Sequence, residues 1–452
     1  MNVILIAIDT LRADHLSCYG YRRLTSPHID RIAREGVLFS ECFSAYIPTH
    51  PGFTTMFTGR DVFTHQVICQ GSPKVELDPE IKTLAEILQE QGYLTASVDN
   101  LGRWFSRGFE IWEKYSWERD PTVPWRKAEA VNTAVLPTLE KVTTTGRPFF
   151  LFLHYWDPHT PYLPPPPFDH MFYSSGKEKD PSNHSMDPIW EDYEALKYYF
   201  AQWMGGVTDI EFPDAQYDAE IAYCDTALAR IFTRLEELSL MKDTLLILTS
   251  DHGEELHEHE GCWYDHHGLY ETNLRVPLIM RCPGRLPAGK RVKGFVRLED
   301  LAPTVLDFLG LSHLAEAEQM EGASTLPLIS RSTRSTKGLC SEMYLAESSW
   351  MRKRGWRTRD WKLIVSLEDP FHLAPIELYD MRNDPMETKN VADERPAVVE
   401  QLQKRMETWR AQRMKETGNP DPHSYQEITI RQIGKMETAV PEDQKLEEGK
   451  EM

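Results

Sequence analysis

Three short runs along the chain are almost wholly apolar and stop abruptly at polar residues: Val3–Ile8, Phe149–Leu153 and Thr244–Thr249. Runs this brief, apolar throughout rather than alternating, predict strands buried on both faces of a parallel sheet. Elsewhere apolar residues recur at helical spacing. Ile81, Leu84, Ile87 and Leu88 form one stripe, with Gly92 placed to stop the helix. Ile221, Cys224, Leu228, Ile231 and Leu235 form another, just before the third run. Strands alternating with such helices predict an α/β fold, a large mainly parallel sheet flanked by helices.

The pattern lapses between Tyr162 and about Gln216. There Leu163 precedes four consecutive prolines, and a polar stretch carries Phe168, Phe172, Tyr173, Trp190, Tyr198 and Trp203. That is too long for an ordinary connection and reads as a lid or substrate-side insertion, with a decorated surface loop as the plainer alternative. Ser330–Gly338 has the composition of a linker. Beyond it lie two strand-like pieces, Trp361–Val365 and Ile376–Tyr379, and a helix with Val398, Val399, Leu402, Met406 and Trp409 on one side. Residues 416–452 are polar and charged, a flexible tail or an arm through which a homo-oligomer forms.

Composition narrows the partners. Fifty Lys and Arg against seventy Asp and Glu leave a net charge of −20, which argues against nucleic acid and against an anionic membrane surface. No run nears the ~18 apolar residues of a membrane span. Met1-Asn2 ahead of Val3–Ile8 lacks the basic start of a signal peptide. The seven cysteines are scattered without a CxxC pair. Thiolate zinc and a disulfide framework are therefore disfavoured, and a reducing cytoplasm is expected.

Candidate chemistry collects where each run ends. The first ends in Asp9-Thr10, the second leads to His154, Asp157 and His159, and the third enters Asp251-His252-Gly253-Glu254-Glu255. In open parallel sheets ligands bind beyond the carboxyl ends of the strands, so these groups converge on one crevice. Asp9, Asp251 and His252 suit a metal. Two carboxylates neutralise a divalent charge, and the imidazole favours Mn²⁺ or Zn²⁺ over Ca²⁺ or Mg²⁺. The plainer reading makes Asp9 a helix cap and Asp251 the start of a turn. His257 and His259 stand among glutamates, as solvated groups, supports or ligands of a second ion, whereas His266 and His267 are better placed for a substrate. Thr49-His50-Pro51-Gly52 opens a helix whose N-terminal amides favour an anion. Thr49 is there either an N-cap or an alcohol activated beside a metal.

Several segments resemble the sulfatase branch of the alkaline phosphatase superfamily: Ile8-Asp-Thr-Leu-Arg-Ala-Asp-His-Leu-Ser-Cys-Tyr-Gly20, Thr58-Gly-Arg60, Thr249-Ser-Asp-His-Gly-Glu254, Asn273-Leu-Arg-Val-Pro277 and Arg359-Asp-Trp-Lys-Leu-Ile364. The resemblance runs from residue 2 to about 410. It implies a catalytic α/β domain over residues 1–330, carrying the 162–216 insertion, and a smaller α+β C-terminal subdomain over residues 339–415. Sulfatases place a Cys or Ser, converted to formylglycine, two residues before the Pro of this motif and an Arg two residues after it. Those positions are Thr49 and Phe53 here, so no formylglycine is expected. The sulfatase Gly-Lys-Trp-His segment is replaced by Ser97-Val98-Asp99-Asn100-Leu101-Gly102-Arg103. Asp9, a hydroxyl and Asp251-His252 look instead like the phosphonate monoester hydrolases, which also act as phosphodiesterases. By that resemblance Gln70 supplies the amide before Gly-x-Pro, and His159 the anion-binding imidazole. His266, or His267 with a one-residue shift, takes the place of a lysine.

The expected machinery is thus one divalent ion on Asp9, Thr49, Asp251 and His252, with Thr49 attacking phosphorus to give a phosphoryl-threonine. His159 or His266 protonates the leaving oxygen, and Gln70, Asn100, Arg103 and His267 bind the substrate. That substrate is a small anionic ester, a phosphate diester or phosphonate monoester. Sulfuric ester hydrolysis, phosphoryl transfer to an alcohol, and metal binding without catalysis are the alternatives.

Overall fold

The computed structural model describes residues 1–71, 75–117, 120, 123–174, 176–192, 200–330, 340–369, 373–426 and 428. The chain forms β1 (Asn2–Ile8), β2 (Val37–Phe43), β3 (Tyr46–Ile47), β4 (Leu94–Val98), β5 (Ile111–Glu113), β6 (Phe149–Tyr155), β7 (Thr244–Thr249), β8 (Arg275–Arg281) and β9 (Lys290–Arg297). It continues with β10 (Glu342–Glu347), β11 (Arg352–Thr358), β12 (Trp361–Glu368) and β13 (Ile376–Asp380). Eight strands make one sheet in the order β5-β4-β6-β1-β7-β8-β2-β9. It is parallel except at β8, which runs antiparallel to β7 and β2.

The three apolar runs are the neighbours β6, β1 and β7 at the sheet's centre. Burial on both faces explains why they carry no alternation. Along β1, Ile4, Ile6 and Ile8 pack under the helices Lys127–Thr143 and Glu211–Glu237, while Val3, Leu5 and Ala7 face the helices Thr49–Thr58, Leu84–Glu90 and Leu301–Phe308. The chain is therefore an α/β protein of three layers.

A second sheet has the order β13-β12-β11-β10-β3. The helix Pro396–Thr417 covers it with Val399, Leu402 and Met406. The edge strand β3 comes from the amino-terminal body and pairs parallel with β10, Tyr46 opposite Ala346 and Ile47 opposite Glu347. Thr49 begins its helix two residues later.

Parts of the described 162–216 segment are built into the main core, beside longer exposed stretches. Met186, Ile189, Phe200, Met204 and Val207 are buried in the main core, and the Tyr162 ring lies 5.3 Å from Trp203. The tail does not begin at 416. The helix continues to Thr417, Asn419 Nδ2 donates to the Phe63 carbonyl at 2.9 Å, and His423 and Gln426 are buried. Tyr425 Oη donates to Gln66 Oε1 at 2.7 Å and His423 Nε2 lies 3.1 Å from the Lys353 carbonyl, tertiary partners that a polar sequence does not announce. Most of the linker, 331–339, and residues 429–452 lie outside the described residues. Among the described residues no helix is long and apolar enough to cross a membrane.

Candidate active site

β1, β6 and β7 are in register, Ala7 lying opposite His154 on one side and Thr249 on the other. The chain leaves all three strands at one level, which brings their carboxyl ends together. Asp9, Asp251 and His252 are fully buried there, with one ligand atom from each within 4.8 Å of the others. His252 Nε2 stands 3.3 Å from Asp251 Oδ2, 3.7 Å from Asp9 Oδ1 and 3.2 Å from Thr49 Oγ1.

These groups fit a cation. His252 Nδ1 lies 2.8 Å from the Gly253 carbonyl, which only accepts, so Nδ1 carries the proton and the neutral ring turns its Nε2 lone pair inward. Burial lowers His252 to about 4, so it is neutral at pH 7. Burial pushes Asp9 up to about 7 and, with the charge of Asp9 adding to it, Asp251 up to about 6. Asp9 Oδ1 and Asp251 Oδ2 are buried without a hydrogen-bond donor. Two carboxylate oxygens and a lone pair facing one point are costly together, and a divalent ion gives all three a common partner. Among the described residues this is the one such cluster.

The other Asp9 oxygen finds its partner in His154, which stands at the end of the second apolar run. His154 Nε2 lies 3.2 Å from Asp9 Oδ2, and burial keeps this ring neutral, at about 4. Phe53, at the position where sulfatases carry arginine, packs edge-on against His154 with ring centroids 4.9 Å apart. A histidine inside an otherwise apolar strand was the available signal.

Thr49 makes no capping bond; its hydroxyl faces His252 instead. The expected anion seat of N-terminal amides is not what the helix offers at its next positions. The His50 N–H donates to Gln70 Oε1 at 2.9 Å, Pro51 has no N–H, and the Gly52 N–H donates to Pro48. Glycine is required twice. A Cβ at Gly52 would come within 2.7 Å of the Asp251 carbonyl, and one at Gly253 within 1.9 Å of the Thr272 carbonyl. The helix and the segment around Asn273 thus clamp the 251–253 loop from two sides.

His159 and His266 form the rim. Their ring centroids are 5.1 Å apart, and His266 lies 4.8 Å from His252. His159 Nδ1 is 2.7 Å from the Thr160 carbonyl; burial, with His266 and Lys127 adding to it, holds this ring well below its usual range. His266 Nδ1 lies 3.2 Å from Asp265 Oδ1 and 3.5 Å from Glu254 Oε2. Beneath the rim is a buried Lys127, which donates to the His159 carbonyl at 2.7 Å and stands 3.6 Å from Glu220 and 3.8 Å from Asp157. Nothing in the sequence marked Lys127 among fifty basic residues.

Asp9, Thr49, Asp251, His252, His159 and His266 are thus brought together, with Gln70 tied to the residue after Thr49. Three other candidates are placed differently. The Asn100 amide is engaged at both ends by the main chain of Tyr115, at 2.8 and 3.2 Å. The Arg103 guanidinium turns to Glu76 at 2.7 Å and to the Val75 carbonyl. His267 is fully buried with Nδ1 facing Asp265 and its ring 5.7 Å from Trp350. Nor do His257 and His259 approach the cluster: they pair with Asp214 at 2.9 Å and Glu255 at 2.6 Å.

A mainly parallel sheet with acids and an imidazole gathered at its carboxyl ends is the architecture of the alkaline phosphatase superfamily. The chain belongs to the sulfatase family within it: the Sulfatase family model matches residues 1–311, and the model "N-sulphoglucosamine sulphohydrolase, C-terminal" matches residues 258–412. It is a sulfatase-family hydrolase. Sulfatases bind a divalent metal ion, and Asp9, Asp251 and His252 are the candidate ligands. An N-acetylglucosamine-6-O-sulfatase of Bacteroides thetaiotaomicron is 24% identical over 473 residues, 86% of this chain and 82% of that protein. The multifunctional alkaline phosphatase superfamily protein PehA of Trinickia caryophylli is 26% identical over 404 residues, 73% and 77% of the two chains. The phosphonate monoester hydrolase of Agrobacterium radiobacter shares the fold with a TM-score of 0.73 at 23% identity, over 91% of this chain and 96% of that one.

Proposed function

We propose that the chain hydrolyses singly charged phosphate diesters or phosphonate monoesters, with Thr49 as nucleophile. The observation that carries this reading is the Thr49 hydroxyl 3.2 Å from His252 Nε2, at the edge of the acid and imidazole cluster. A divalent ion on Asp9, Asp251 and His252, Mn²⁺ or Zn²⁺ by the donor set, would supply Lewis acidity and favour ionisation of that hydroxyl. Its two charges cancel those of the two carboxylates, and His154 and His159 beside the cluster, held neutral by burial, add none. Such a site suits a monoanionic ester better than a dianionic phosphate monoester.

Thr49 Oγ1, its proton released to solvent, attacks phosphorus, and the bond to the departing alcohol breaks. His266, with Asp265 and Glu254 behind its Nδ1, is set to pass a proton to the departing oxygen. His159, neutral with its proton on Nδ1, presents the lone pair of its other nitrogen to the water that later releases Thr49. The Gln70 NH2 group, its Oε1 engaged by the His50 N–H, supports the phosphoryl oxygens from beside the first helical turn.

Sulfuric ester hydrolysis is the second reading, favoured by the sulfatase relative above. A sulfate monoester also carries one charge, so charge does not separate the two. The nucleophile does, because a threonine cannot become formylglycine. The seven cysteines are scattered without a CxxC pair, which favours a reducing cytoplasm as its compartment.

The test replaces Thr49 by Ala and assays bis-(p-nitrophenyl) phosphate, a p-nitrophenyl phosphonate and p-nitrophenyl sulfate. The native protein is expected to cleave the first two and the variant to lose them by 10³-fold or more, on the order of a lost nucleophile. Undiminished diester turnover would remove Thr49 from the reaction. Strong sulfate turnover with no phosphorus ester cleaved would overturn the substrate class.

A further inference from the structure

The C-terminal sheet reaches the nucleophile along two routes. Through the first, β3 is an edge strand of that sheet, and Thr49 follows it by two residues. The second is a chain of hydrogen bonds that starts at Glu347, the last residue of β10. Its carboxylate is fully buried and accepts three main-chain N–H groups of the following loop. Ser349 and Trp350 donate to Oε1 at 2.7 and 2.9 Å, and Met351 donates to Oε2 at 3.3 Å. That loop then holds Gln70, whose N–H donates to Ser349 Oγ at 2.7 Å. Gln70 Oε1 in turn accepts the His50 N–H at 2.9 Å, and the Gly71 N–H donates back to His50 Nδ1 at 3.1 Å. The path joins residues almost 300 apart in sequence and ends at the residue next to Thr49.

We propose that Glu347 is a positioning residue for the reaction: by fixing the 348–351 loop it sets Gln70 and the first turn of the Thr49 helix, making the C-terminal sheet part of the active site. A carboxylate suits this place because all three loop groups are donors, and carboxylate acceptors make the stronger bonds. An amide would aim its own N–H at one of them. The same loop seats Trp350, whose ring lies 6.3 Å from His266, so a shift there moves the pocket wall together with Gln70. An error of ~1 Å at a reacting group costs on the order of 10²-fold in rate without touching the ligands of the ion.

This inference rests on Thr49 being the nucleophile, but one arm of its test does not. Glu347→Gln, Glu347→Asp and Ser349→Ala would be made in the full chain and compared by hydrogen exchange over residues 46–53 in metal-free protein, by Mn²⁺ titration calorimetry, and by kcat and KM on the best ester. Expected are faster exchange at 46–53 with the central strands still protected, and Mn²⁺ affinity within about threefold. Turnover should fall by about 10²-fold for Glu347→Gln, mainly in kcat, with partial recovery in Glu347→Asp and a smaller loss in Ser349→Ala. Native exchange at 46–53 in Glu347→Gln would overturn the proposal whatever the substrate proves to be. Exchange rising equally over the whole chain in both Glu347→Gln and Ser349→Ala would also overturn it, by making the role one of general stability. If the wild-type chain cleaves no phosphorus ester, the functional reading fails, while the exchange result still decides whether Glu347 sets the helix.

Discussion

The two halves of the site are held by different physics. The cradle of Asp9, Asp251 and His252 hangs on two adjacent buried strands, β1 and β7, whose main-chain ladder fixes its geometry. The rim of His159 and His266 hangs on loops fixed by charge, with Lys127 between Asp157 and Glu220 below one ring and Asp265 and Glu254 behind the other. A cradle on strand ends tolerates uncompensated charge because the backbone cannot relax away from it. A rim built on ion pairs loses its shape when one partner is removed. Function should therefore fail without unfolding in the first half, and stability and function should fail together in the second.

The largest effect expected is in the cradle. Asp9→Asn or Asp251→Asn should abolish stoichiometric metal, measured by elemental analysis, and lower ester turnover on the order of 10³-fold. Stability should move the other way. In metal-free protein each change removes one of two buried like charges, so Tm should hold or rise, while the rise in Tm on adding Mn²⁺ disappears. A fall in metal-free Tm would show that the carboxylates hold the fold rather than an ion.

At the rim, Lys127→Met should cost about 3–5 kcal/mol in urea unfolding, because it strands two buried carboxylates, both already pushed upward by burial. Mn²⁺ affinity should survive. Unchanged stability would mean that Asp157 and Glu220 are protonated in the native protein and that Lys127 holds only the His159 carbonyl.

The same contrast decides what could be read from sequence. The central strands were legible because burial on both faces leaves an unbroken apolar run, and the acids beyond them were legible because those runs end in register. The reversed direction of β8 was not, since an apolar strand carries no arrow. Nor was β3: two residues, Tyr46 and Ile47, have no period to detect. His266 and His267 looked equivalent in sequence, but one ring faces the rim, 4.8 Å from His252, while the other is fully buried 5.7 Å from Trp350. Asn100 and Arg103 stand in a segment where the family pattern itself has changed. The fold there uses Asn100 to clip its own loop to Tyr115.

His154 sharpens the comparison from inside the cradle, as the neutral donor to the Asp9 oxygen that does not face the cluster. His154→Leu should weaken Mn²⁺ binding by about 10–100-fold, the usual cost of losing a group that orients a ligand. Calorimetry would show it, and retained affinity would mean that strand geometry alone aims Asp9.

The smallest effect concerns pH and the loop that carries the rim. His259 stacks on Tyr270 with ring centroids 3.7 Å apart and lies 2.6 Å from Glu255 Oε1. Burial works to lower this histidine, but the charge of Glu255 and its hydrogen bond outweigh that and raise it to about 9. Its folded value thus exceeds the ordinary one near 6.5. The stability it contributes is complete below about pH 6.5 and is lost as pH rises through about 9. Tm of the wild-type chain, held free of metal so that the cradle adds no pH dependence through binding, should fall by a few degrees over that window. His259→Gln should start lower at pH 6 and show a flatter curve. Parallel curves for the two proteins would remove the His259–Glu255 pair from the forces that hold the loop, and leave Asp265 and Glu254 to aim His266 without it.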